Sequence, residues 1–258
     1  MSSGKAYQLL TKRNKGLIDD KLQQQIKKTR ILLIGCGLGS QIAILAARTG
    51  FEKFILCDGD KVELHNLNRQ DFDLKDLGKN KARVLKQKIK RINQNSKISL
   101  HPKFIASEKE IEALISKSDI IINMADPGKI NYFIDSLAKK QRKPVFFPLN
   151  FVLGGFLLVF TPKSPSLEKI IGKTEEGQIF ERLVMNSLKK LPSKFMKDKN
   201  FIKYAGLYGR IFRNGKDIPQ TGISSNITSA LVIKYILRWA DKKPFPIAPQ
   251  PILIDPWD

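Results

Sequence analysis

Asp58-Gly59-Asp60-Lys61-Val62-Glu63-Leu64-His65-Asn66-Leu67-Asn68-Arg69-Gln70 is the stretch on which the reading of this chain turns. It starts where a short apolar run, Lys53 to Cys57, stops, and it closes on a polar block, Asn66 to Gln70. Upstream, the apolar run Arg30 to Ile34 meets Gly35-Cys36-Gly37-Leu38-Gly39-Ser40 and then a helical spacing of Ile42, Leu45 and Ala46. That order predicts strand, glycine turn and helix, an arrangement that brings backbone N–H groups and a helix N-terminus against phosphate oxygens. A second strand ending in Asp58 puts an acid where a dinucleotide fold binds a ribose hydroxyl. A nicotinamide enzyme needs no more than this. The block Asn66 to Gln70, followed by Gly78-Lys79-Asn80-Lys81 at the head of a basic helix, suits the larger charge of a nucleoside triphosphate.

The alternation continues downstream. Strands are expected near 30–35, 53–57, 98–105, 119–124 and 143–149, with helices near 40–49, 79–94, 107–116 and 129–140. Short strands alternating with helices imply parallel pairing through right-handed crossovers. The fold class is therefore α/β: a Rossmann-like, mainly parallel sheet flanked by helices. The apolar run Phe151 to Phe160, broken by Gly154 and Gly155, predicts two strands meeting at a bend, which continues the sheet as a mixed one. Residues 1–29 read as an N-terminal arm with a short helix from Ile18 to Lys28, residues 30–162 as the nucleotide-binding core, and residues 163–258 as a further segment of the same domain. In that segment a helix is expected from Thr174 to Leu188, then a loop or lid bearing Lys189, Lys190, Lys194, Lys197, Lys199 and Lys203. A long packing helix follows from Thr221, with Ile223, Ile227, Leu231, Ile236 and Leu237 on its apolar face and Ser225 as candidate cap. Pro244, Pro246, Pro249 and Pro251 leave an extended tail.

With 258 residues and 42% hydrophobic content the chain can bury a substantial core. No apolar run reaches the roughly 18 to 20 residues of a membrane span, and the polar start lacks a signal-peptide core, so a cytoplasmic location without membrane contact is expected. Two cysteines, Cys36 and Cys57, and no Cys-x-x-Cys pair argue against a disulfide scaffold and against zinc. The net charge of +22 attracts anionic partners, nucleic acid among them. Its densest run, Lys79 to Arg91, keeps Ala82, Leu85, Ile89 and Ile92 on one face, which reads as an amphipathic helix with a solvated basic side.

Taken together, the glycine turn, the Asp58 to Gln70 run, Gly78-x-x-Lys81-Ala82 and Asp119 to Asp126 at a strand end resemble the ubiquitin-activating-enzyme-like superfamily, the ThiF/MoeB/HesA adenylyltransferases. The resemblance spans about Arg13 to Phe156, with a weaker echo between Gly215 and Leu237. It implies an ATP- and Mg²⁺-dependent enzyme that activates a carboxylate as an acyl adenylate. The carboxylate would be the C-terminus of a small ubiquitin-like protein or peptide, or a small acid, and the segment 163–258 would contact this acceptor. By the same resemblance Gly35, Gly37 and Gly39 line the phosphates and Asp58 with Asp60 stands at the ribose. Asn66, Arg69 and Gln70 face the triphosphate, Lys81 contacts phosphate, and Asp126 holds Mg²⁺. In dimeric relatives an N-terminal arginine reaches the partner's nucleotide, a role that Arg13 would fill in a homodimer.

The match has departures. The glycine turn ends at Gly39 without the family's Gly-x-Gly-Gly-x-Gly pattern, Asn123 stands for the first acid and Pro127 for the asparagine of an Asp-x-Thr-Asp-Asn run, and no cysteine follows Cys57. The last difference implies adenylation without an enzyme thioester. Three other readings compete: a tRNA-modifying enzyme resembling the threonylcarbamoyladenosine dehydratase, favoured by the charge; an NAD-dependent oxidoreductase; and an inactive binding paralogue.

Overall fold

A computed structural model describes residues 2–172, 174, 178–191, 197–213 and 218–254. Seven strands build one sheet: β1 (Arg30–Ile34), β2 (Lys53–Cys57), β3 (Lys97–His101), β4 (Ile120–Asn123), β5 (Val145–Phe151), β6 (Gly154–Phe160) and β7 (Ile252–Ile254). Their order is β3-β2-β1-β4-β5-β6-β7. The first five pair in parallel, whereas β6 and β7 run antiparallel to their neighbours. This is the Rossmann-like, mainly parallel sheet continuing into a mixed one that the sequence predicts.

The inner strands β1, β2, β4 and β6 are apolar and buried because both faces are covered, whereas the edge strand β3 is polar and partly exposed. Ile31 and Leu33 point into one core layer, with α2 (Asp20–Lys28), α3 (Gly39–Thr49), α4 (Lys81–Ile92) and the long helix α10 (Gly222–Ala240). Leu32 and Ile34 point into the other, with α5 (Glu108–Ser116), α6 (Lys129–Lys140), α7 (Leu167–Ile171) and α8 (Ile179–Leu188). From the adjacent strands β1 and β4 the chain leaves to opposite faces, to α3 and to α6, so a crevice opens at the carboxyl ends of these two strands, the switch point where such sheets bind ligands.

Several expectations change. The bend between β5 and β6 falls at Val152 and Leu153, with Val152 at φ 54°, and not at the glycines. Gly155 lies inside β6 for a packing reason: a Cβ there would sit 3.1 Å from Thr228 Cα on α10. The arm holds an unexpected first helix, α1 (Ser3–Leu10), whose sequence carries almost no apolar periodicity. It is anchored by Tyr7, whose hydroxyl donates to the Gly50 carbonyl (3.0 Å) and accepts from Gln23 Nε2 (2.9 Å). The helix expected over 174–188 is α8, preceded by the separate α7. Lys199 and Lys203 belong to α9 (Lys199–Arg213) and not to a loop, and Lys194 lies outside the described residues. Thr221, not Ser225, caps α10 by accepting from Ser224 N–H, while Ile223 is 59% exposed and Ser225 is buried inside the helix. The proline-rich tail is extended, yet it delivers β7 to the sheet edge. No helix among the described residues is long and apolar enough to cross a membrane.

Replacing Gly155 by Ala is expected to lower the urea midpoint by the equivalent of about 1–3 kcal/mol, since helix and strand backbones must part. Gly4, with open space around its Cβ position inside α1, serves as control. There the same change should leave stability equal or raised.

Candidate functional site

A cleft of about 520 Å³ opens at the switch point, lined from β1 by Gly35 and Gly37, from β2 by Asp58 and Asp60, and from β4 by Met124 to Gly128. Asn66, Arg69, Gln70 and Lys81 close it on the remaining side. Gly35 has φ 88°, and a Cβ on it would collide with the Met124 carbonyl, so the turn and the end of β4 can approach only through glycine. Leu38, at the N-cap of α3, offers no side-chain acceptor, which leaves that helix start available to an anion.

Asp58 organises the turn. Its Oδ2 accepts from Cys36 N–H (2.6 Å) and its Oδ1 from Asp60 N–H (2.7 Å). Burial pushes the carboxyl above its ordinary range, against the pull of these two amide groups and of Lys81. Asn80 accepts from Arg83 N–H as the N-cap of α4 and donates to the Asp58 carbonyl (2.9 Å). This cap sets Lys81 as the first helical residue, buried to 8% exposure, with Nζ 3.1 Å from Asp60 Oδ2.

The polar block folds as a short 3₁₀ turn over Leu64–Asn66. Asn66 is buried and its Oδ1 accepts from Glu63 N–H (3.1 Å), so this amide oxygen maintains the turn although the residue lines the cleft. Arg69 Nε donates to Gln220 Oε1 (2.7 Å) and Nη1 to the His65 carbonyl (2.7 Å), while Asn68 Nδ2 donates to the Gln220 carbonyl (3.2 Å). The block is thus clasped to the start of α10. Gln70 lies over Gly37, and its buried Oε1 has no hydrogen-bond partner among the described residues.

Asp126 is exposed on the cleft wall, where its carbonyl accepts from Asn131 Nδ2 (2.8 Å). Asn123, in place of the expected acid, is buried and donates to Asn131 Oδ1 (2.9 Å) while accepting from Ala125 N–H. Among the described residues no three His, Cys, Asp or Glu side chains converge on a metal position. The donor set fits a magnesium ion that takes a carboxylate from Asp126 and its other oxygens from phosphate and water.

Two expected site residues are elsewhere. Gly39 does not line the cleft; a Cβ on it would strike the Leu33 side chain, so it permits close packing of α3 on β1. Arg13 is exposed in the turn Lys12–Asn14, whose Asn14 donates to the Thr49 carbonyl at the far end of α3. The α3 residues between that end and the cleft span roughly 16 Å, so Arg13 cannot serve the nucleotide of its own chain. Residues that the sequence reading passed over include Gln220, Asn80, Asn131 and Phe104, the last an exposed ring over Gly59 at the cleft mouth. Only Asn80 carries a local signal, as a cap before a helical run.

Comparison with known proteins supplies the context. The ThiF family model matches residues 11–257. The chain is 30% identical over 149 residues to a probable molybdopterin-synthase adenylyltransferase of Gracilaria tenuistipitata var. liui, covering 57% of this chain and 42% of that one. It is 27% identical over 142 residues to the sulfur carrier protein ThiS adenylyltransferase of Escherichia coli (strain K12), covering 54% and 56%. The chain therefore spans about half the length of these curated relatives. Among solved structures, PaaA superposes with a TM-score of 0.69 at 21% identity over 100% of this chain and 82% of that one. Escherichia coli MccB, crystallised with ATP, gives 0.64 at 20% over 88% and 60%. At such identities these likenesses show a common fold, while the family match, running from the N-terminal arm through the cleft to the last strand, establishes that the chain belongs to the ThiF family.

Proposed function

We propose that the chain is an ATP-dependent adenylyltransferase that activates the carboxylate of a small protein or peptide and transfers it without an enzyme thioester. One observation carries this reading: Asp58, Arg69, Gln70 and Lys81 share a single cleft with an uncapped helix start. That is an acid for a ribose beside cations and amides for a triphosphate. The curated relatives are named for adenylyl transfer to molybdopterin-synthase and ThiS components, which supports the same class of substrate.

In the reaction a carboxylate oxygen attacks the α-phosphorus of ATP, the bond from that phosphorus to the bridging oxygen breaks, and pyrophosphate leaves. A carboxylate is already ionised at neutral pH, so no general base is required, and positioning with charge stabilisation carries the rate. Arg69, held by Gln220 and the His65 carbonyl, presents a fixed guanidinium to the phosphates. Lys81 can exchange Asp60 for a phosphate oxygen. Magnesium, held by Asp126, would neutralise the departing pyrophosphate. Arg13 acts across a homodimer on the partner's nucleotide.

The test is carboxylate-dependent exchange of labelled pyrophosphate into ATP, using a panel of peptides and small acids. Exchange is expected with a peptide or protein C-terminus. Arg69→Ala should slow it by on the order of a hundredfold. Asp58→Ala should weaken ATP binding by roughly 1–3 kcal/mol in calorimetry. Tighter binding of NADH than of ATP would contradict the assignment.

The cysteines give an independent check. Cys36 is fully buried with its thiol pushed well up, and burial raises Cys57 to about 12. Neither is a thiolate at neutral pH. Replacing both by Ala should leave pyrophosphate exchange largely intact, and intact-mass analysis should show no hydroxylamine-sensitive acyl adduct. An adduct on either sulfur would restore a thioester mechanism.

A further inference from the structure

Away from the cleft, a second concavity of about 460 Å³ lies between α1, α3 and α4. Its floor is apolar, formed by Leu10, Ile44 and Ile92, and its rim is cationic, formed by Arg48, Lys88 and Arg91. Lys88 is taken up by Asp73 (2.8 Å) and Asp76 (3.5 Å). Arg48 and Arg91 are exposed and form no salt bridge or hydrogen bond among the described residues, although Asp71 feels the charge of Arg48 as well as that of Lys88. The concavity shares no lining residue with the cleft: Arg48, Arg91 and Ile92 stand at the C-terminal ends of α3 and α4, and the chain links the two through Gln70 in the cleft and Asp71 in the groove, whose N–H donates to Ser40 Oγ (2.8 Å).

From two exposed arginines and Lys88, which outnumber the single acid Asp71 around an apolar floor, in a chain of net charge +22, we infer that the groove docks a short acidic, amphipathic segment of the polypeptide whose carboxylate enters the cleft. This rests on the adenylyltransferase reading and extends it from the reacting end of the substrate to a remote anchor. Charge complementarity selects the partner: the groove needs carboxylates for Arg48 and Arg91 and apolar side chains for Ile44 and Ile92. A nucleic acid supplies anionic groups for the arginines but no aliphatic side chains for the floor. Binding energy from such a remote contact serves to hold the reacting carboxylate in place.

The probe is a fluorescein-labelled peptide of alternating Glu, Asp, Leu and Phe, read by anisotropy at low and high salt. Polyglutamate, the same peptide with Lys for its acids, and a single-stranded oligonucleotide are run alongside. The acidic amphipathic peptide should bind best, and Arg48→Glu with Arg91→Glu should weaken it about tenfold or more. Arg48→Lys with Arg91→Lys should keep most of the affinity. ATP affinity, measured on the same variants, should not move, because neither arginine lines the cleft. The Glu variants should unfold at a somewhat lower temperature, since both arginines lie in the last turns of their helices, and the Lys variants should not. Equal binding by the charge-reversed protein, no binding by the wild type, or equal or preferred binding of polyglutamate or the oligonucleotide would overturn the groove assignment. Loss of ATP binding by the wild-type protein would instead overturn the nucleotide reading, so the two failures are distinguishable.

Discussion

The carboxylate of Asp58 is the constraint around which the cleft is assembled. One oxygen takes the amide of Cys36 at the end of β1 and the other takes the amide of Asp60 beyond β2, so a single side chain fixes the glycine turn relative to the neighbouring strand. Hydrogen bonds to a charged acceptor contribute about 1.5–3 kcal/mol each, which offsets part of the burial cost while the carboxyl stays above its ordinary range. Everything else is indexed from that group. Asp60, placed by it, meets Lys81, and Asn80, bonded to the Asp58 carbonyl, caps the helix that Lys81 opens.

Much of this could be read before any coordinates. The parallel core follows from alternating apolar strands and amphipathic helices, and β1, β2 and α3 lie within a residue or so of where their periodicity places them. The cleft residues Gly35, Gly37, Asp58, Asp60, Asn66, Arg69, Gln70, Lys81 and Asp126 do come together. What stayed hidden depends on distance along the chain. Gln220 meets Arg69 across 151 residues, a separation to which no local pattern points. Gly39 looks like its neighbours in the turn, and only the position of Leu33 reveals that it faces the sheet. The helix α1 escaped because its single buried residue, Tyr7, gives no periodic signal.

The clasp between the Asn66–Gln70 block and the start of α10 joins the nucleotide side of the molecule to the segment expected to meet the acceptor. Asn68 and Arg69 hold Gln220 by backbone and side chain together, and Gly222 leaves room for the Asn68 carbonyl, which a Cβ would approach to 2.8 Å. A shift in the phosphate-facing turn would therefore move the first turn of α10 with it. Under the proposed function this coupling needs no cysteine, and it would let a nucleotide in the cleft shape the surface offered to the acceptor.

The three-residue strand β7 pairs with β6 although some ninety residues of chain separate them. Strand β4 also closes a long loop, since it reaches back past β2 and β3 to pair with β1, but β1 to β5 all lie in the first part of the chain, whereas β7 pairs only once the C-terminal segment is present. Until it does, the β6 edge presents unpaired backbone groups. During synthesis the parallel part of the sheet can thus assemble while the β6 edge is still open, and the short strand that covers this edge is the last of the seven to become available.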